Sequence, residues 1–181
     1  MHPRLAAAIG HAEQARMALL DAVETLPPEL REARPSLEAW SAAEILEHLA
    51  RVEKGIAKLF ALRVGELRAT PGAPREGDEW PAVDAARFAG VDDRGLRRNA
   101  PDRTRPSGEL SADAALRALR ETRALLLSEA MRGDGLALGT VTHPHPFLGE
   151  LDLYEWIWFI GAHEQRHTAQ LRDLAAHFAT T

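Results

Sequence analysis

The chain has 181 residues, 45% of them hydrophobic and 27% charged, enough for one sizeable core and short for two, so a single domain over 1–181 is expected. A formal net charge of -5 offers no broad basic field to a phosphate backbone, which argues against sequence-independent nucleic-acid binding. With no cysteine, disulfides, iron–sulfur clusters, thiolate ligands and a cysteine nucleophile are excluded, and any metal must be held by nitrogen and oxygen.

The N-terminal apolar residues Leu5 to Ile9 are interrupted by His11, Glu13 and Arg16 before a signal-peptide core forms. The longest strongly apolar stretch, Trp156 to Ala162, is far short of the roughly 20 residues that cross a bilayer. The expectation is a cytoplasmic protein with no membrane partner.

Helical periodicity first appears over Pro3 to Thr25, where Leu5, Ile9, Ala12, Leu19 and Val23 keep mainly to one face and Pro27 and Pro28 stop the run. Ser41 and Glu44 have the spacing of a capping box, with Trp40 placed to staple against Ile45. Ile45, Leu49, Val52, Ile56, Leu59 and Phe60 continue as a helical stripe to about Arg63–Gly65. From Gly65 to about Leu110 the pattern collapses into Pro, Gly, Arg and Asp, with at most a short helix around Val83 to Phe88. So long a connection usually has a job and reads as a crossover along a bundle. Its arginines, Arg94, Arg97, Arg98, Arg103 and Arg105, read as a solvated surface or a patch for an anionic substrate. The crossover is either a lid over the bundle end or a passive connector packed by Trp80, Phe88 and Leu96. A third helix starts after Ser111 and runs to about Met131; Leu136 to Gly149 reads as a loop, with at most a short extended piece over Leu136 to Val141; a fourth helix covers about Glu150 to Phe178. Four helices with one long crossover predict an all-α four-helix bundle.

The fourth helix carries His163 and His167, two imidazoles one turn apart on the face that also holds Trp156, Ile160 and Leu174. Inward histidines at this spacing offer two ligands to one metal. The five residues from His163 to His167 also spell the zinc-protease helix H-E-x-x-H, but Gln170 and Asp173 occupy the positions that its extended form needs as glycine and histidine, and no glutamate follows Glu164. His48, on the rim of the second helical stripe, is the candidate third ligand. Glu44, one turn earlier, either orients that ring or handles a proton, or else serves the capping box. Gln170 either bonds a ligand or fills a polar gap; His143 and His145, within His-Pro-His-Pro, read as turn chemistry ahead of ligation; Tyr154, Trp80, Trp156 and Trp158 read as core ahead of pocket lining. Three neutral imidazoles leave open positions, the arrangement of a catalytic site.

These residues resemble the DinB-like superfamily of bacterial metal-binding bundles, in particular its YfiT-like branch. The resemblance rests on Trp40 to Leu49, on Arg105 to Gly108, on His145 to Gly149, and on His163, His167 and Gln170, blocks spanning about 40–170. It implies an up-down-down-up bundle with the crossover between helices two and three, a zinc or nickel ion on His48, His163 and His167, and a homodimer. It also implies metal-dependent hydrolysis, or transfer of a low-molecular-weight thiol such as bacillithiol or mycothiol onto an electrophile. The resulting expectation is an enzyme that activates a water or a thiol on the metal for a small-molecule substrate, with Glu44 or Glu164 as general base in the hydrolytic version. The alternative is a non-catalytic bundle with a structural metal or a ligand that is not turned over.

Overall fold

A computed structural model describes residues 1–92 and 100–180. Arg94, Leu96, Arg97 and Arg98, and with them the central part of the lid question, lie outside the described residues.

The chain is mostly helical: α1 (Pro3–Glu24), α2 (Ala42–Ala69), a one-turn α3 (Ala89–Asp92), α4 (Ala112–Arg132) and α5 (Leu153–Ala179), with a small antiparallel hairpin, β1 (Thr142–His145) and β2 (Gly149–Asp152). The expected box caps α2: the Ser41 hydroxyl accepts the Glu44 N–H, and the Glu44 carboxylate accepts the Ser41 N–H. Ser111 caps α4 and an Asp152–Glu155 box caps α5. α2 runs on to Ala69, past the expected end near Gly65, because Val64 and Leu67 still find the core.

Residues Leu138–Thr140 form a 3₁₀ turn, and the expected loop is a hairpin with Thr142 opposite Asp152 and His145 opposite Gly149. Pro144 is tolerated because β1 is an edge strand. The short helix expected near Phe88 is a 3₁₀ turn (Ala85–Phe88) leading into α3, and Phe88 is buried.

Helix α1 packs on α5, and α2 on α4. The apolar core is divided in two. One cluster joins Leu5, Phe60, Leu126 and Ile157; the other joins Leu19, Leu46, Leu119 and Leu171. Between them every long helix contributes polar side chains: Arg16, Glu53, Thr122 with Arg123, and Glu164, all buried. Arg16 donates to Glu53 (2.9 Å) and Glu164 (2.5 Å); Arg123 donates to Glu164 (3.0 Å) and to Glu53, and Thr122 donates to Glu53 (3.1 Å). The layer is close to neutral, which is what makes burial of four charges tolerable.

The close α1–α5 contact depends on Gly161. A Cβ there would lie 2.5 Å from the His11 ring, which is itself stacked on Trp158 at 3.8 Å. Gly161→Ala is expected to cost about 1–3 kcal/mol by overpacking. Gly65→Ala, where a Cβ meets nothing within 4 Å, should instead gain about 0.5–1 kcal/mol from better helix propensity. Denaturant midpoints of the two variants moving in the same direction would contradict this account.

Candidate metal centre

Helix α2 brings His48, and α5 brings His163 and His167, to one point. One ring nitrogen from each lies within 4.8 Å of the others. The Nε2 atoms of His48 and His163 are 3.4 Å apart, and those of His167 and His163 are 3.1 Å apart. Donor atoms at 2.0–2.1 Å from a tetrahedral zinc are separated by about 3.3–3.4 Å, so the spacing fits a common ion.

The protons give an independent test. The Thr104 carbonyl, an obligate acceptor, lies 2.8 Å from His48 Nδ1, and Gln170 Oε1 lies 2.7 Å from His167 Nδ1. Both rings therefore carry their proton on Nδ1 and turn a bare Nε2 lone pair inward. His163 can donate to at most one of them, which leaves a buried acceptor facing another nitrogen. A cation satisfies that arrangement, and the residues fit a divalent metal.

Electrostatics keeps these rings neutral. Burial, reinforced by the repulsion two protonated rings would suffer at the His48 face, lowers His167 to about 3. Burial and the neighbouring His167, His48 and Arg166 hold His163 well below the usual imidazole range, and burial lowers His48 despite the Thr104 bond. An unfolded chain protonates these rings below its ordinary value of about 6.5, whereas folded His167 stays neutral down to about 3. Stability of the metal-free protein is thus fully present above 6.5 and is expected to fall through the interval down to 3, by up to about 1.4 kcal/mol per pH unit from this one ring. Urea midpoints measured between pH 7 and 4 check the sign; replacing His167 with glutamine should flatten the slope.

The site opens into a cavity of about 1180 Å³ whose walls include Val52, Leu59, Trp156 and Phe159. His143 and His145 also line it: the segment expected as turn chemistry is a strand that overhangs the histidines, with the His145 ring 4.4 Å from Phe159. His145 Nδ1 accepts the Phe147 N–H at 3.3 Å. Trp156 joins this wall, whereas Tyr154 is buried with its hydroxyl donating to Glu76, Trp158 covers His11, and Trp80 meets the edge of His2. Of the crossover arginines, Arg103 lines the cavity and Arg105 pairs with Asp102.

Neither expected general base belongs to this cavity. Glu44 serves the cap and an ion pair with Arg34, and lines a separate cleft beside Gly108; although burial works against it, these bonds keep its carboxyl below the ordinary value. Glu164 follows His163 by one residue, about 100° around the helix, so its Oε1 meets Arg16 and Arg123 instead. Burial raises its carboxyl despite both cations, and its Oε2 has no hydrogen-bond partner among the described residues. The atoms that orient the rings, the Thr104 carbonyl and Gln170, were respectively missed and left open in the sequence; a backbone acceptor on a distant segment leaves no pattern to read.

The fold and the site are those of a helical bundle with three converging imidazoles, and comparison with known proteins gives the family. Residues 11–171 match the family model described as the DinB superfamily; the chain belongs to that superfamily. It is 27% identical over 165 residues, 89% of this chain and 93% of the relative, to the uncharacterized protein YuaE of Bacillus subtilis (strain 168). The crystal structure of TT2238, a four-helix bundle protein, superposes with a TM-score of 0.59 at 22% identity, covering 93% of this chain and 98% of the other. That likeness concerns the fold.

Proposed function

We propose that the protein is a metal-dependent enzyme in which His48, His163 and His167 hold one divalent ion, zinc or nickel, and the cavity admits a small-molecule substrate. The observation that carries this reading is the surplus of inward Nε2 lone pairs at the floor of an open cavity. When bound, the ion supplies Lewis acidity, lowering the pKa of a water toward about 7 or activating a thiol co-substrate. The chain's own groups do the rest: Thr104 and Gln170 hold two rings in the ligating tautomer, burial keeps the imidazoles neutral, and the wall of Trp156 and Phe159 excludes water around the reacting groups. Hydrolysis and thiol transfer are separated by thiol dependence.

The same reading takes the chain as one up-down-down-up domain, supported by the pairings of Arg4 with Asp152 and Arg16 with Glu164 along α1 and α5, and of Glu53 with Arg123 along α2 and α4. Among the described residues no helix is long and apolar enough to cross a membrane, and a cytoplasmic homodimer without nucleic-acid partners completes the proposal. Metal analysis of freshly purified protein, followed by incubation with an electrophile with and without an added bacterial thiol, tests it. Thiol-dependent adduct supports transfer and thiol-independent ester or amide cleavage supports hydrolysis; metal-free protein that does not take up zinc or nickel would refute the proposal.

A further inference from the structure

Glu47 precedes His48 on α2, is 3% exposed, and is not a neighbour of the converging Nε2 atoms. Its carboxylate gathers the N-terminal side of α4 instead. Both oxygens accept the Ser107 N–H (3.0 Å each), Oε1 accepts the Ser107 hydroxyl (2.9 Å), and Oε2 accepts the Gly108 N–H (3.3 Å). Arg51, one turn on, donates to Oε1 at 2.6 and 2.9 Å and balances the charge. A buried carboxylate spent on the backbone of a segment 60 residues away is a clamp on that segment.

What the clamp holds is the Thr104 carbonyl that takes the His48 Nδ1 proton. Between the two anchor points stand Arg105 and Pro106. Proline fixes its own φ and confines the preceding residue to extended backbone, and Arg105 is found there, at φ -65° and ψ 134°. The link from Ser107 back to Thr104 is therefore stiff. Gly108, at φ 76°, then turns the chain away, in a left-handed conformation where a Cβ would also approach Glu44 Oε1 at 3.3 Å.

We propose that Glu47 is a positioning residue: by clamping Ser107 and Gly108 it holds the Thr104 carbonyl against His48 and so keeps the His48 Nε2 lone pair directed at the metal position. This rests on the metal reading above only for its consequence in binding; the effect on the His48 ring stands without it. Loss of the clamp frees the carbonyl, and a His48 ring without it shifts its proton between Nδ1 and Nε2, the latter form being unable to ligate.

The test uses E47Q, whose amide keeps one acceptor oxygen but sets its NH2 where the second oxygen accepts from Ser107 or Gly108, and which no longer carries the charge that Arg51 balances. In metal-free protein with nitrogen-15-labelled histidine, the wild-type His48 should show the Nδ1–H tautomer and E47Q a mixture with Nε2–H. Cobalt(II) titration should then show about 10–100-fold weaker binding and an altered visible absorption spectrum, neither of which follows from a change in global stability. P106G removes no hydrogen bond and leaves Glu47 in place, yet loosens the link, so it should give the same tautomer shift even if E47Q does not fold. An unchanged His48 tautomer in folded P106G or E47Q overturns the proposal. If the wild type binds no cobalt while the tautomer shifts as expected, the metal reading fails and the clamp stands.

Discussion

Alanine at His167 is expected to reduce metal occupancy from stoichiometric to near zero under dilute conditions, and His163→Ala and His48→Ala should do the same. Loss of a residue that merely orients a ligand costs about 10–100-fold in affinity, so loss of one of three ligands costs more. His163 lies within 3.1 Å of one partner nitrogen and 3.4 Å of the other, so its removal leaves only two of the three converging imidazoles. Stability should respond as well, because an ion that binds only the folded chain adds RT ln(1 + [M]/Kd), about 2.7 kcal/mol at a hundredfold excess over Kd. Without metal the loss should be smaller, because the metal-dependent part is absent and only the packing of the buried His167 ring is removed. Metal content by mass spectrometry, with melting curves in chelator and in zinc, checks both parts. A triple variant retaining one ion per chain would refute the ligand set.

Arg123→Met is the second large effect. It leaves Glu53 and Glu164, 2% and 1% exposed, with Arg16 as the only buried cation still bonded to them among the described residues. Breaking a buried pair in this way costs about 3–5 kcal/mol, since a charge is left without compensation. For a chain of this size each kcal/mol lowers Tm by about 2–4 °C, so a fall on the order of 10 °C is expected. Compensation is equally specific: Arg123→Met combined with Glu53→Gln removes one charge of each sign and should recover most of the loss. A double variant as unstable as the single one would show that the Arg123 side chain acts through packing rather than charge.

The helices were legible because their signals are local. Ser41 with Glu44, Ser111, and the stripe from Ile45 to Phe60 specify ends and faces without help from distant residues. The histidine pair was legible for the same reason, since a spacing of four on a helix fixes a common face. The hairpin was not: each strand has four residues, and Pro144 and Pro146 carry the strongest local message, that of a turn. It forms because Leu151 is fully buried and the Trp156 indole donates to the His143 carbonyl. Glu164 misled for a geometric reason, as adjacency to His163 in sequence puts it on the face turned toward Arg16 and Arg123. Glu47 gave no signal, because its partners are backbone groups that any residue possesses.

The pairing of α1 with α5 has a consequence for synthesis. Helix α1 leaves the ribosome first, and its partner is encoded 148 positions later, as the Arg16–Glu164 contact measures. At about 5–20 residues per second the apolar face of α1 waits on the order of ten seconds for α5, whereas α2 meets its main partner, α4, sooner. During that interval Arg16 also lacks Glu164, so the polar layer closes last and with it the histidine floor supplied by α5. A nascent chain stalled before residue 150 would lack the helix against which Leu5, Ala8 and Leu19, residues almost wholly covered in the finished fold, are packed.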